Sequence, residues 1–153
     1  MPTTHDYYDD PRNEDVKIYI DGAFFHRNEA KISVLDSGFL LGDGVWEGVR
    51  LNNGRLLHFE KHLDRLFSGA SALALNIHLS REEIKEAVMR TLKKNNMSSD
   101  VHIRLIVSRG LKKTPYQHPK ATIGKPTIVI IPEYKIADKS VIDTGIKLAL
   151  VDT

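Results

Sequence analysis

The sequence predicts an α+β fold, an antiparallel-rich sheet with two helices. Three observations support this prediction. Two pairs of short apolar runs are each joined by a tight-turn dipeptide, two middle segments repeat apolar residues at helical spacing, and strand-like runs return after them. With 153 residues, the chain is long enough to bury a core and fits one domain, or a smaller domain with an extension.

The first half of the chain predicts an arm followed by two hairpins. Residues 1–16 are polar and have no hydrophobic period, so we expect a flexible or draped N-terminal arm. In KIYIDGAFF, Asp21-Gly22 separates two apolar runs, which is the preferred chemistry of a two-residue hairpin turn. The segment VWEGVRLNNGRLLHF predicts a second hairpin with its turn at Asn53-Gly54.

Helices and further strands are predicted in the second half. From Phe59 to Leu73, apolar residues recur in steps of four and three, the pattern of one helical face. Ser80 precedes REEIKEAVMRTLKKNN, whose acidic first turn and basic last turn predict a capped second helix. Three strand-like runs follow, VHIRLIVS, PTIVIIPEY and GIKLALVD. The middle run is apolar throughout, so we expect a strand covered on both faces.

Composition argues against several classes of function. A formal net charge of +2 with intermixed signs provides no broad phosphate-binding field, so nucleic-acid binding is not expected. The absence of cysteine excludes disulfides, thiol nucleophiles and cysteine-ligated metal. The histidines lack a clean ligand spacing, and no metal site is predicted. The 153-residue sequence contains no long apolar span and no signal-peptide pattern. We therefore expect a cytoplasmic protein that does not bind membranes.

A glycine-rich stretch surrounds the only tryptophan. In LLGDGVWEGVR, residues 40–50, Gly42, Gly44 and Gly48 lie around Trp46. Glycine permits positive φ and close backbone approach, so the stretch predicts a tight turn beside a surface that another group approaches. An ordinary turn before a hairpin is the alternative. The stretch is not a dinucleotide-binding fingerprint, because it opens a strand where that motif requires a helix.

Alternation in two strands brings polar and aromatic side chains onto shared faces. In VHIRLIVS, His102 and Arg104 point to the same side. In VWEGVR, Trp46 and Arg50 share a face, and Gly48 between them is expected to leave open space beside the indole. A sheet with one solvated face explains the same pattern without a binding site.

On the first predicted helix, Arg65 falls outside the apolar stripe. Ser68 and Gly69 lie one turn further on, and these small residues leave room for the guanidinium to reach a ligand. An arginine fork suits a phosphate or carboxylate, which it can bind through two hydrogen bonds. A solvated arginine on a helix surface is the alternative interpretation.

The order of YIDGAF, GFLLGDGVWEGVRLNNGRLLHFEKHLDRL, LKKNN and HIRLIVSRG resembles the class IV, fold type IV aminotransferases. These include the branched-chain and D-amino acid aminotransferases. The resemblance extends from Lys17 to Thr153 and implies pyridoxal 5'-phosphate (PLP) as cofactor, with an amino acid and a 2-keto acid as substrates. It also implies a homodimer in which the loop from Thr114 to Pro119 reaches toward the active site of the partner.

The resemblance gives three residues a binding role. Arg65 of HLDRL matches the family arginine that binds the phosphate of PLP. Trp46 stands where the family places a phenylalanine or tyrosine that lines the substrate pocket. Leu41 stands where the branched-chain enzymes have another aromatic residue of that pocket.

Four further positions bear on the substrate. Arg104 of HIRL matches an arginine of the branched-chain enzymes that binds a side-chain carboxylate, and His102 stands where they carry a tyrosine. The D-amino acid enzymes clamp a carboxylate with an arginine and a histidine of the long loop, where this sequence has Thr114 and Tyr116. The resemblance therefore favours a branched-chain or related amino donor.

The Schiff-base lysine of the family lies in its large C-terminal domain, and no lysine of this sequence matches it. No catalytic residue is therefore assigned here. We expect residues 17–140 to form the small α+β N-terminal domain of the family, and residues 141–153 to form the interdomain connection and the first strand of a missing large domain.

We also expect the chain to be inactive by itself. Two alternatives stay open. One is an aminodeoxychorismate lyase-like PLP enzyme, which resembles the aminotransferases in fold and cofactor. The other is a noncatalytic, truncated binding or interaction module.

Overall fold

A computed structural model describes residues 9–136 of the chain together with residues 143, 145 and 149. The predictions for residues 1–8 and for the connection 141–153 lie outside the described residues, apart from those three positions. The same holds for the predicted strand GIKLALVD.

The described residues form a sheet of six strands with three α-helices. The strands are β1 (Lys17–Ile20), β2 (Ala23–His26), β3 (Gly44–Asn52), β4 (Arg55–Leu56), β5 (Val101–Ser108) and β6 (Thr127–Tyr134). The helices are α1 (Ser37–Leu41), α2 (Phe59–Ala72) and α3 (Arg81–Lys94), with short 3-10 turns at Pro11–Asn13 and Pro119–Ala121. The α+β prediction is confirmed, and α1 is an addition to the two predicted helices.

Both predicted hairpin turns are present. Asp21 and Gly22 have φ values of 48° and 98°, and Asn53 and Gly54 have values of 47° and 74°. Two consecutive residues with positive φ are what a type I′ hairpin turn requires, and asparagine, aspartate and glycine tolerate that backbone best. The dipeptides therefore set the β1–β2 and β3–β4 connections locally.

The strands pair in the order β2-β1-β6-β5-β3-β4, and each described pair is antiparallel. One face of this sheet is covered, because α2 packs on β3 and α3 packs on β1 and β6. The core lies between these layers. Its fully buried members include Leu63 and Leu66 of α2, Ile84 and Val88 of α3, and Val49, Ile103, Leu105 and Ile130 of the strands.

Strand register defines the other side of the sheet, which we call the open face. Across β3, β5 and β6, Trp46 pairs with Ile106 and then Val129, Gly48 with Arg104 and then Ile131, and Arg50 with His102 and then Glu133. Of the described helices, α1 contacts β5, and Phe39 of α1 lies with Trp46 and Ile106 around one pocket on this face. Along β6, residues alternate between buried and half-buried as far as Pro132. We expected other elements to cover both faces of this strand, but only one of its faces is buried.

The residues that precede β1 lie against the end of β6. The Asn13 side chain donates to the Tyr134 carbonyl at 3.0 Å and accepts from the Tyr134 amide at 2.7 Å. Val16 is buried in the main core. The domain boundary at residue 16 stays a prediction.

The second predicted helix, α3, begins at its predicted cap. The Ser80 hydroxyl accepts from the Glu83 amide at 3.2 Å, and the Glu83 carboxylate accepts from the Ser80 amide at 2.7 Å. This reciprocal capping box satisfies two otherwise unpaired donors at the start of α3. Among the described residues, no helix is both long and apolar enough to cross a bilayer.

Candidate functional site

The glycine-rich turn is fixed to the sheet by a buried carboxylate. Asp36, which is 3% exposed, caps α1 by accepting from the Gly38 amide at 2.8 Å. It also accepts from the hydroxyls of Ser108 at 2.8 Å and Thr127 at 2.7 Å. Gly42 ends the helix with a φ of 66°. Asp36 therefore joins the start of α1 to the end of β5 and the start of β6.

A second ionic contact fixes the other end of this turn. Arg109 donates to the Asp43 carboxylate at 2.7 and 3.0 Å, and it also donates to the carbonyls of Leu73 and Ala74 after α2. At Gly44, an added Cβ would lie 2.7 Å from the Val107 carbonyl oxygen, so only glycine fits against β5 there. The first residues of β3 are therefore held tightly in place.

Trp46 of β3 and Arg104 of β5 meet on the open face. The Arg104 guanidinium carbon lies 4.3 Å from the centre of the Trp46 ring, within the range of a cation–π contact. Trp46 is 60% exposed. The two residues therefore present an aromatic surface and a positive charge side by side.

The expected open space at Gly48 is not present. A Cβ on Gly48 would lie 2.9 Å from His102 Nε2, so the imidazole occupies the place beside this glycine. Burial lowers the pKa of His102, and the nearby charges of Arg104 and Lys135 lower it further. At neutral pH this histidine is therefore a neutral hydrogen-bonding group. The prediction was wrong because the imidazole comes from the neighbouring strand.

An apolar pocket of about 500 Å³ opens beside Trp46 on the open face. Its wall includes the apolar side chains of Ile20, Ile32, Phe39, Trp46, Ile106 and Val129. Leu41, expected to line a substrate pocket, is the last residue of α1 and is 38% exposed. Phe39, two residues earlier, lies in the wall of this pocket instead.

The two loop residues predicted to bear on the substrate lie apart from this pocket. Thr114 and Tyr116 are exposed in the loop between β5 and β6, and the described pocket walls include neither side chain. The structure therefore brings Trp46, His102 and Arg104 together, with Leu41, Thr114 and Tyr116 outside that group.

Arg65 is positioned by a buried glutamate on the covered side of the sheet. Its Nε and Nη2 atoms donate to the two carboxylate oxygens of Glu47 at 2.6 and 2.5 Å. His62 Nδ1 lies 2.7 Å from one of the same oxygens. Glu47 is 2% exposed, and hydrogen bonds from Arg65, assisted by His62, hold its pKa below the usual value despite burial.

The Arg65 side chain lines a groove that has room for an anion. Its side chain is 71% exposed, and no described residue accepts a hydrogen bond from its Nη1. The groove has a volume of about 430 Å³ and is lined by Gly44, Val45, Trp46, Glu47, Arg65, Leu66 and Gly69. Glycine backbone and a free guanidinium edge suit an anion of this size.

The groove at Arg65 and the apolar pocket share one wall. Gly44, Val45 and Trp46 line both cavities. A molecule could therefore lie along the start of β3, with a phosphate near Arg65 in one cavity and a reacting group against Trp46 in the other. PLP combines these two parts, and the residues present fit it.

Glu47 and His62 are functional candidates that the sequence analysis did not assign. Strand alternation places Glu47 on the same side as the core residue Val49, where an ionised carboxylate requires a cationic partner. His62 and Arg65 are three residues apart on α2, a spacing that puts two side chains on one helix face. The core-facing position of Glu47 and the spacing of His62 and Arg65 together indicate that the carboxylate pairs with these two side chains.

Comparison with known proteins identifies the family. The family model described as amino-transferase class IV matches residues 44–152. This chain belongs to the class IV aminotransferase family. The predicted resemblance is therefore confirmed.

Two relatives of this chain carry the names of different aminotransferases. A putative branched-chain-amino-acid aminotransferase of Methanocaldococcus jannaschii is 42% identical over 116 residues, which are 76% of this chain and 39% of the relative. A D-alanine aminotransferase of Staphylococcus haemolyticus is 30% identical over 136 residues, which are 89% of this chain and 48% of the relative. This chain therefore spans less than half the length of either relative.

Solved structures share its fold. The branched-chain amino acid aminotransferase of Escherichia coli superposes with a TM-score of 0.69 at 23% identity, covering 78% of this chain and 40% of that one. The branched-chain amino acid aminotransferase from T.th., complexed with N-(5'-phosphopyridoxyl)-L-glutamate, superposes with a TM-score of 0.68 at 24% identity. The match covers 80% of this chain and 41% of that one. The α+β architecture of this chain is that of the small N-terminal domain in fold type IV aminotransferases.

Proposed function

We propose that this chain is the small domain of a PLP-dependent aminotransferase that transfers an amino group from a branched-chain or related amino donor to a 2-keto acid. The observation that carries the proposal is the groove at Arg65. A bidentate contact to Glu47 holds Nε and Nη2 of the guanidinium, and Arg65 lines a groove together with Gly44 and Gly69. Membership in the class IV family supports the PLP phosphate as the anion that binds in this groove.

Each residue of the site has a distinct binding task in this proposal. Arg65 donates hydrogen bonds from its free edge to the phosphate of the cofactor. Trp46 excludes water from one side of the reacting groups, and Phe39 and Ile106 extend this apolar wall around an aliphatic side chain. PLP, when bound, supplies the electron sink that weakens the bonds at the α-carbon of the amino acid.

The choice of a branched-chain donor follows from the same pocket. Its walls are mainly apolar, which suits an aliphatic side chain better than the methyl group of alanine, because more apolar surface is buried. The relative from Methanocaldococcus jannaschii carries the name of a putative branched-chain enzyme. Thr114 and Tyr116 replace the loop pair expected of the D-amino acid enzymes.

The proposal extends to the rest of the protein. Residues 17–140 form the small domain, residues 141–153 lead into a large domain that supplies the reactive lysine, and the complete protein is a cytoplasmic homodimer. We expect the 153-residue chain to be inactive by itself, because the family resemblance implies that the reactive lysine belongs to the large domain. The family resemblance is the support for each of these statements.

Cofactor binding by the full-length polypeptide that contains these residues tests the proposal. Replacing Arg65 with alanine should raise the dissociation constant of PLP about tenfold or more, because charge-assisted hydrogen bonds to the phosphate are lost. Equilibrium titration followed by PLP absorbance measures this constant without relying on turnover. Arg55→Ala removes an exposed arginine of β4 and is the matched control, with an expected unchanged constant.

The conservative variant separates charge from shape. Arg65→Lys keeps the positive charge but loses the planar fork, so its dissociation constant should lie between those of the wild type and Arg65→Ala. A constant that is the same in all four proteins would show that Arg65 is a solvated helix residue paired with Glu47. The cofactor role assigned to the groove would then be wrong.

A further inference from the structure

The loop between β5 and β6 begins with a lysine whose side chain is fully buried. Lys112 is 1% exposed, and it is among the largest fully buried side chains of the described residues. Its amide donates to the Leu35 carbonyl at 2.9 Å, so the backbone here is held against the segment that precedes α1. Lysine is almost never fully buried unless a partner compensates its charge. The ammonium of Lys112 therefore needs such a partner.

No described residue provides that partner. The Nζ atom of Lys112 is closed to solvent and forms no hydrogen bond with any described group, and none of the described ion pairs includes it. Asp36 is the acidic residue on the adjoining bridge, where it pairs with Leu111, but both of its carboxylate oxygens accept hydrogen bonds from other groups. A buried charge without a partner is more costly than a buried neutral group without one.

A second buried polar atom lies beside Lys112. Lys112 forms an antiparallel bridge with Thr122, whose Oγ1 atom is also buried and has no hydrogen-bond partner in the described part of the chain. The backbone hydrogen bonds donated by the Lys113 and Ile123 amides, at 2.7 and 2.8 Å, flank this pair instead of joining it. Lys112 and Thr122 are therefore a non-hydrogen-bonded pair, in which the two side chains lie on the same side of the ladder and close together.

The charge of the loop favours an anion at this pair. Residues 110–126 contain four lysines, Lys112, Lys113, Lys120 and Lys125, and no aspartate or glutamate. A segment with one sign of charge raises the local concentration of ions of the opposite sign. An anion therefore suits the buried pair better than a neutral molecule does.

We infer that Lys112 and Thr122 bind one small monovalent anion, of the size of chloride, at the base of this loop. A lysine ammonium and a threonine hydroxyl both donate hydrogen bonds, and a halide ion accepts from both. The bound ion supplies the negative charge that Lys112 lacks and connects the two arms of the loop that carries Thr114 and Tyr116. This inference does not depend on the proposed function.

Urea unfolding of the 153-residue chain at constant ionic strength tests the inference. Sodium chloride would replace sodium gluconate stepwise, because gluconate is too large for a site that is closed to solvent. A ligand that binds only the folded chain multiplies the folding equilibrium constant by one plus the ratio of its concentration to Kd. This constant should therefore rise about tenfold when chloride reaches ten times its Kd. A folding constant that does not respond to chloride would overturn the inference.

Two variants and one control assign the response to the buried pair. Lys112→Met keeps the length of the side chain but removes its charge, so its folding constant should not respond to chloride. Without chloride this variant should be at least as stable as the wild type, because a buried uncompensated charge is removed. Thr122→Val should weaken chloride binding about threefold to tenfold, the value of one hydrogen bond. Lys113→Met changes the exposed neighbouring lysine and should respond to chloride as the wild type does.

Two outcomes of these measurements would contradict the site. An equal chloride response in the wild type and Lys112→Met would show a general effect of salt on the chain. A Lys112→Met chain that is more stable than the wild type at every chloride concentration, with no chloride response in the wild type, would show that Lys112 is satisfied by buried water alone.

Bromide locates the ion directly, because it replaces chloride in halide sites and scatters X-rays anomalously. Crystals of the chain grown in sodium bromide should show an anomalous peak within hydrogen-bonding distance of both Lys112 Nζ and Thr122 Oγ1. The Lys112→Met crystals should lack this peak. Bromide peaks confined to exposed lysines such as Lys113 would overturn the assignment of the buried pair.

Discussion

At the scale of single residues, Glu47 links the protein core to the groove at Arg65. It is 2% exposed and receives two hydrogen bonds from Arg65, so its charge is compensated by a guanidinium that is itself largely exposed. Glu47→Gln keeps the size of the side chain but removes the charge. We expect it to lower the free energy of unfolding by about 1–2 kcal/mol at neutral pH, measured by urea denaturation.

The pH dependence of this loss follows from the pKa of Glu47. Hydrogen bonds from Arg65, with a smaller contribution from His62, hold this pKa below the ordinary glutamate value of 4.5, although burial opposes them. The stability that the ionised form provides is therefore complete above pH 4.5 and is lost as the pH falls through the lower folded pKa. The difference between wild type and Glu47→Gln should shrink on acidification in that range.

Glu86→Gln is the matched control, because Glu86 is exposed on α3. Its unfolding free energy should stay close to that of the wild type throughout the titration. If Glu47→Gln and Glu86→Gln had the same stability at neutral pH, the Glu47–Arg65 pair would not contribute to the fold.

At the scale of elements, the Asp36 side chain connects the start of α1 to β5 and β6. Asp36→Ala removes the acceptor of the Gly38 amide and of the Ser108 and Thr127 hydroxyls. Because these groups are buried or half-buried, the loss of unfolding free energy should be about 2–4 kcal/mol. Ser80→Ala, which removes the cap of α3, should cost about 1 kcal/mol.

Chemical denaturation of both variants gives this comparison directly. A larger loss in Ser80→Ala than in Asp36→Ala would contradict the account of Asp36 as the connection between the turn and the sheet. The fluorescence of Trp46 should also change more in Asp36→Ala, because β3 begins immediately after this turn.

Local signals made most elements predictable. The hairpin turns were readable from Asp21-Gly22 and Asn53-Gly54, since few other dipeptides adopt positive φ twice in succession. The start of α3 is predictable from Ser80, because its capping partner Glu83 is only three residues away in the sequence. Helix α1 was missed because five residues are too short to show an apolar period. Asp36 and Gly42, its cap residues, were the available signals.

The site was predictable only where one strand determines the geometry. Alternation correctly grouped Trp46 with Arg50 and His102 with Arg104, because each grouping depends on a single strand. The error at Gly48 arose because His102 reaches it from the neighbouring strand, and register between strands distant in sequence is not visible in local pattern. The pairing of Glu47 with Arg65 likewise depends on how α2 packs on β3.

At the scale of the whole molecule, the open face exposes more apolar surface than a solvated sheet requires. Trp46 is 60% exposed and Phe39 is 69% exposed, and half-buried Val129 and Ile131 line the apolar pocket with them. Contiguous apolar surface of this kind is typical of an interface. We therefore expect the 153-residue chain to self-associate through this face at high concentration.

Sedimentation velocity over a wide concentration range tests this expectation. Phe39→Ser should shift the association to higher concentration because it removes apolar area from the open face. Met89→Ser is the control, since Met89 is 48% exposed on α3, on the opposite side of the sheet. A strictly monomeric wild-type chain, or an equal shift in both variants, would contradict association through the open face.

The transfer of the amino group itself is the most direct test of the account. The full-length polypeptide containing these residues would be purified, loaded with PLP and supplied with leucine carrying an isotopically labelled amino nitrogen and with 2-oxoglutarate. The account predicts glutamate that carries the label, formed in equal amounts with the keto acid derived from leucine. Loss of the donor without labelled glutamate, or elimination from an aminodeoxychorismate substrate without transamination, would contradict it.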